Sequence, residues 1–181
     1  WHELSQGGFK RLVSEGTTFD SFSYGYQSAG NAPDIATLQT GSLPYLHGIA
    51  GDNYFVRKSA KSIPVTADPS AHSFGLDVAH SAHRLQASTL ADQLNEDSQN
   101  RAQIVSIAIN PTAATLQVGH SGLALWMDKQ TGRWTTSSYY ETALPSWAGK
   151  TADDYLNKRW EPLHLAALYY AAPRVRNKNF V

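Results

Sequence analysis

Hydrophobic and polar positions change period several times along the chain. In GGFKRLVSEG, Phe9, Leu12 and Val13 recur at helical spacing and Gly16 follows, which predicts a short amphipathic helix with a glycine stop. TTFDSFSYGY alternates and predicts a strand. Beyond it, Pro33 suits the first turn of a helix, where a missing N–H costs nothing, and residues 35–40 carry that helix on. Asn31 is the expected cap, at a mouth where free backbone donors and the positive helix end favour an anion. NYFVR predicts a strand, while residues 59–84, rich in Ser, Ala, Pro and His without a period, predict a loop. STLADQLNE predicts a helix capped by Ser88, with Leu90 and Leu94 one turn apart. AQIVSIAIN has the apolar, β-branched run of a parallel strand buried on both faces. Pro111 opens a helix through Leu116, LALWMD and GRWTTSSYY form a strand pair around the DKQTG turn, and ALPSWAG and TADDYLNKRW close as short helices. The alternation predicts an α/β protein, a doubly wound, mostly parallel sheet with helices on both faces.

Composition narrows the function classes. At 181 residues the chain is one domain or a large part of one. Fifteen basic and fifteen acidic side chains cancel, so charge gives no case for nucleic acid or an anionic membrane as partner. The absence of cysteine excludes disulfides and thiolate chemistry. No apolar run approaches the roughly 20 residues of a membrane helix.

Several local patterns invite chemistry. VGHSGL nearly matches the esterase G-x-S-x-G elbow around Ser121, but Leu123 replaces the last glycine and the run after Ser121 predicts a strand where the elbow needs a helix. A structural turn is the plainer account of Ser121. His80 and His83 lie one turn apart near His72 and Asp77, yet spacing places no third zinc ligand, so a surface pair is expected. Trp126, Trp134, Tyr139, Tyr140, Trp147 and Trp160 are expected in core and rim packing. There is no Walker A loop and no G-x-G-x-x-G, and Pro111 spoils the glycosylation pattern at Asn110.

Taken in order, GGFKRLVSEGTTFDSFSY, AGNAPDIATLQTGSLPYLHGIAGDNYF, STLADQL, IVSIAINPTAATLQVGHSGLALWMDKQTGRWTTSSYY, LPSWA and WEPL resemble the alkaline phosphatase superfamily. The branch is similar to single-chain bacterial phosphomonoesterases related to nucleotide pyrophosphatase/phosphodiesterases. The resemblance implies a periplasmic or cell-envelope enzyme that cleaves phosphate monoesters through a phosphothreonine with two zinc ions. It puts the nucleophilic threonine at Asn31, where a carboxamide forms no phosphoenzyme and is a poor zinc ligand. It puts the asparagine that grips phosphate at Asp52, an anion with Asn53 beside it, and the lysine and arginine that neutralise developing charge at Asn110 and Thr112.

The resemblance also places the first strand, with its metal-binding aspartate, upstream of Trp1, and the remaining ligands beyond Val181. Residues 1–181 are then the N-terminal portion of the domain, and no cofactor is expected in them; two zinc ions belong to an intact site. Three functions follow. One is a degenerate phosphatase scaffold kept as a structural or binding component; another is a piece of an active hydrolase whose other segments supply a site. The third is a non-catalytic anion binder using Asn31, Ala32 and Asn53. The missing neighbour of AQIVSIAI should come from the rest of the same polypeptide or from another protein chain.

Overall fold

A computed structural model describes residues 8–149, together with the backbone of a short strand pair at 159–160 and 178–179. The elements in order are α1 (Phe9–Glu15), α2 (Asn31–Thr40), α3 (Pro44–His47), β1 (Asn53–Val56), β2 (Lys61–Pro64), α4 (Leu90–Asp97), β3 (Val105–Ala108), α5 (Pro111–Val118), β4 (Leu123–Asp128), β5 (Arg133–Thr135), a 3₁₀ turn (Ser146–Gly149), β6 (Arg159–Trp160) and β7 (Lys178–Asn179).

The α/β unit is built around α5. β3 and β4 pair in parallel, Val105 opposite Leu123 and Ala108 opposite Trp126, and α5 is the crossover between them. β5 returns antiparallel on β4, with Trp126 opposite Thr135, so the sheet order is β3-β4-β5. α5 lays Ala114 and Val118 on Ala124 and Trp126 of β4. From its opposite side Leu116 meets Ala32 and Ala36 of α2, with Ile49, Val65, Ala82 and Leu85 completing that cluster. A helix enclosed on two sides is apolar on both, as Ala114, Leu116 and Val118 make α5, and its buried threonine is absorbed locally: Thr115 Oγ1 donates to Pro111 O at 2.9 Å. On the other sheet face Leu123 and Leu125 pack under Ala148, Trp134, Tyr140 and Leu144. Each fully buried Leu of this kind contributes about 1.5–3 kcal/mol of transfer free energy.

Several expectations need correction. Residues 17–26 form no strand; their alternation has no partner to pair with, and Phe19 and Phe22 stand exposed. The loop expected over 59–84 contains β2, which pairs antiparallel with β1 from Asn53 opposite Pro64 to Val56 opposite Lys61. α4 is capped by Thr89 instead of Ser88, through a capping box in which Thr89 Oγ1 accepts the Asp92 N–H at 3.1 Å and the Asp92 carboxylate accepts the Thr89 N–H at 2.9 Å. β3 is not buried on both faces. Ser106 is buried, but Val105, Ile107 and Ile109 on the other face are about half exposed or more, and β4 is its one strand partner among the described residues. α1 forms where expected, yet its apolar face of Phe9, Leu12 and Val13 is exposed. ALPSWAG yields only the 3₁₀ turn, and the helix expected at TADDYLNKRW lies outside the described residues apart from β6. Trp126 and Tyr140 join the core as expected, whereas Trp147 is exposed and the side chain of Trp160 lies outside the described residues.

Candidate functional site

Two helix N-termini, those of α2 and α5, open on one cleft of ≈ 440 Å³. Its polar lining is Asn31, Asp34, Asp52, Asn53, Asn110 and Thr112. The four positions that the family resemblance singles out are therefore brought together from three segments of chain. Asn31 stands in the first turn of α2, Asp52 just before β1, and Asn110 and Thr112 at the start of α5.

Each helix mouth is closed by an oxygen of the protein itself. Asn31 is not the cap of α2, contrary to expectation. Gly30 is, with φ 140°, and a Cβ there would run into the Asp52 carboxylate, so only glycine lets the two segments approach. With no side chain on the cap residue, the free Ala32 N–H is met from twenty residues downstream: it donates to Asp52 Oδ1 at 2.7 Å. The Ala32 amide, expected to be open to an anion, is thus already taken. At α5, Asn110 Oδ1 accepts the Thr112 N–H at 2.8 Å, the usual asparagine cap.

The remaining groups are tied as well. Asp34 accepts from Tyr26 Oη at 2.8 Å and from Ser28 Oγ at 2.7 Å, which pins the segment before α2 to the cleft rim. Thr112 Oγ1 lies 3.2 Å from Thr66 Oγ1, which lies 2.8 Å from Nδ1 of His80. His80 is 4% exposed, and burial lowers its pKa from the ordinary 6.5 to about 4, so the ring is neutral at physiological pH. It is an interior histidine held through Nδ1, which corrects the expectation of a surface pair. Both charged side chains that line the cleft, Asp34 and Asp52, are acids; no lysine or arginine lines it among the described residues. The cleft offers amides, hydroxyls and carboxylates, but neither a free nucleophile nor a cation for developing phosphate charge.

The other candidates are structural. Ser121 follows α5 and precedes β4, the reverse of the strand–turn–helix order of the esterase elbow. Neighbouring His120 has both ring nitrogens committed, Nδ1 to Asp92 Oδ2 at 3.0 Å and Nε2 to Leu85 O at 3.0 Å, so it offers Ser121 no free base. His83 is held between Ser81 Oγ, 2.8 Å from its Nδ1, and Arg84 Nη1, 2.6 Å from its Nε2. Asp77 accepts from the Lys129 N–H at 3.1 Å and Gln130 Nε2 at 3.0 Å. Among the described residues no three His, Asp or Glu side chains come together as a metal site, and Asn31 brings only a neutral amide oxygen to the cleft. These side chains do not fit the two zinc ions that the resemblance implies.

No family model matches the chain. Curated relatives and solved structures do. It is 30% identical over 163 residues to alkaline phosphatase PafA of Elizabethkingia meningoseptica, covering 87% of this chain and 29% of that one. It is 28% identical over 172 residues to alkaline phosphatase PhoV of Synechococcus elongatus, covering 90% and 31%. The crystal structure of wild-type PafA superposes with a TM-score of 0.71 at 26% identity, over 94% of this chain and 35% of that chain. The chain belongs to the alkaline phosphatase superfamily. A calcium-transporting ATPase of Myroides odoratus is also similar, 32% identical over 173 residues, or 91% of this chain and 32% of that one. Within the superfamily the chain corresponds to an N-terminal partial region, spanning about a third of the length of the curated relatives it matches.

Sequence reasoning missed the Asp52–Ala32 bond and the Thr112–Thr66–His80 chain. The pairing of Asp52 with a helix twenty residues earlier has no local signature. The one hint is Gly30, the residue before the expected cap Asn31, where a glycine permits the close approach of another segment.

Proposed function

We propose that this chain is a catalytically degenerate alkaline phosphatase-like unit, a scaffold kept as a structural or binding component, in the cell envelope. One observation carries this reading: Asn31, Asp52, Asn110 and Thr112 converge on a single cleft whose charged lining is acidic and whose α2 mouth is closed by Asp52. A phosphate monoester entering it would meet two carboxylates in place of cations. Chemistry that depends on electrostatic stabilisation loses its largest contribution there. Non-catalytic anion binding at Asn31, Ala32 and Asn53 is disfavoured by the same carboxylate. The alkaline phosphatases among its relatives support a hydrolase ancestry and an extracytoplasmic place. No described helix is long and apolar enough to cross a membrane.

The decisive experiment uses the full-length gene product, assayed with a fluorogenic phosphomonoester and analysed for bound metal. The expected result is hydrolysis indistinguishable from a blank and no stoichiometric zinc. Turnover together with stoichiometric zinc would overturn the proposal in favour of an active hydrolase completed by segments outside these residues. Fractionation of cells that carry a tagged copy tests the envelope assignment, which a purely cytosolic signal would end.

A further inference from the structure

Four side chains between β2 and α4 form one chain of hydrogen bonds whose direction is fixed by chemistry. Arg84 Nη1 lies 2.6 Å from Nε2 of His83. A guanidinium only donates, so Nε2 is the bare, accepting nitrogen and the ring proton sits on Nδ1. That Nδ1 lies 2.8 Å from Ser81 Oγ, which itself donates to Asp68 Oδ2 at 2.6 Å. Asp68 and Ser81 are buried, whereas the His83 side chain is 31% exposed and open to protons from solution. The same Arg84 Nη1 also donates to Ala67 O at 2.8 Å, and the guanidinium carbon lies 4.7 Å over the centroid of the Tyr54 ring. Arg84 thus fastens β1 to the segment that follows β2. β1 starts directly after Asp52, the carboxylate that closes the α2 mouth.

A proton taken up by His83 has one place to go. It binds the lone pair of Nε2, and an N–H then faces the N–H of Arg84 across 2.6 Å. The contact turns from a hydrogen bond into a repulsion between two cations. The ring stays where Ser81 and Asp68 hold it, since Asp68 Oδ2 lies 3.5 Å from Nδ1 and attracts the imidazolium. Arg84 is the member that moves, and because one nitrogen makes both bonds, the bond to Ala67 O goes with it. Asp68 and Arg84 are the charged groups that act on the ring. Burial lowers the His83 pKa most, Asp68 raises it and Arg84 lowers it again, for a net downward shift. Asp68, though raised by burial, is held below its ordinary carboxylate value by hydrogen bonds from Ser70 and Ser81 and stays ionised. We propose that His83 and Arg84 form an acid-released latch on the β1–β2 hairpin: protonation of His83 Nε2 expels the Arg84 guanidinium and withdraws it from Tyr54. The latch works whether or not the neighbouring cleft is catalytic.

The test uses the full-length gene product labelled with 3-fluorotyrosine and titrated from neutral pH down through the histidine range. A Tyr54→Phe variant identifies the line of that residue by its disappearance. In the unaltered protein the Tyr54 line should move in a single-proton transition with its midpoint below the ordinary 6.5 of histidine. His83→Gln brings an oxygen that accepts from Arg84 and an amide N–H that reaches Ser81, and it does not titrate. In that variant the line should keep its neutral-pH position throughout. Arg84→Gln should leave the line near its acid position at every pH, which decides the matter if His83→Gln fails to fold. A Tyr54 line that ignores pH in the unaltered protein overturns the proposal. So does a transition that persists in His83→Gln or in Arg84→Gln, since another group then drives it.

Discussion

Asp52 and His80 set the character of the site, and each gives a measurable consequence. Asp52 serves as the remote cap of α2, so Asp52→Ala should destabilise the fold by about 1 kcal/mol, a normal cap loss, while Asp52→Asn keeps an acceptor oxygen and loses less. Urea unfolding of the three forms checks this, and equal midpoints would show that the Ala32 bond contributes nothing. His80 gives a pH dependence with a defined sign. Its folded pKa of about 4 lies below the ordinary 6.5, so between those values the unfolded chain binds a proton that the folded chain refuses. Stability is therefore full above the upper value and falls as pH drops toward the lower one, by roughly 3 kcal/mol from this group. Subtracting the profile of a His80→Gln variant isolates the effect from the carboxylates; identical slopes would refute it. At the cleft, Asn31→Thr alone should give no phosphate release, because Asp52, Asn110 and Thr112 still supply no cation. Release from that single variant would mean that the other three positions matter less than their chemistry indicates.

Elements with local signals were legible in the sequence and those defined by distant partners were not. Pro111 at the start of α5, the β4–β5 turn and the Leu90–Leu94 spacing of α4 are local signals, and the three elements they predict are present. β2 is four residues inside a Ser- and Ala-rich stretch, and pairing with β1 makes it a strand. TTFDSFSYGY had the alternation but no partner. The site followed the same division: the four positions lie within residues 31–112, and nothing in their spacing brings them together, so their convergence was legible only through the family resemblance. β3 bears the element-scale prediction. Its strip of Val105, Ile107 and Ile109 lies bare beside the covered Leu123 and Leu125. If protein outside the described residues covers that strip, Ile107→Lys should cost the full-length gene product more than about 2 kcal/mol, as burial of an unpaired charge does. A change within about 0.5 kcal/mol, the ordinary surface range, would show the strip to be free.

The molecule as a whole combines a packed centre around α5 with apolar margins at α1, residues 19–24 and β3. Residues 1–181 expressed alone should accordingly be insoluble, oligomeric or loosely folded, because an open strand edge invites pairing with any available chain. Light scattering and a thermal melt test this, and a monomer with one cooperative transition would contradict it. The closed mouth of α2 has a consequence for anything dissolved around the protein. Asp52 is tethered, so it competes for the Ala32 amide at an effective concentration that even a short flexible linker puts in the millimolar range, and a folded frame holds it at least as closely. A free anion at micromolar concentration meets a rival that never diffuses away, and the helix end stays occupied by Asp52 in any solution that dilute.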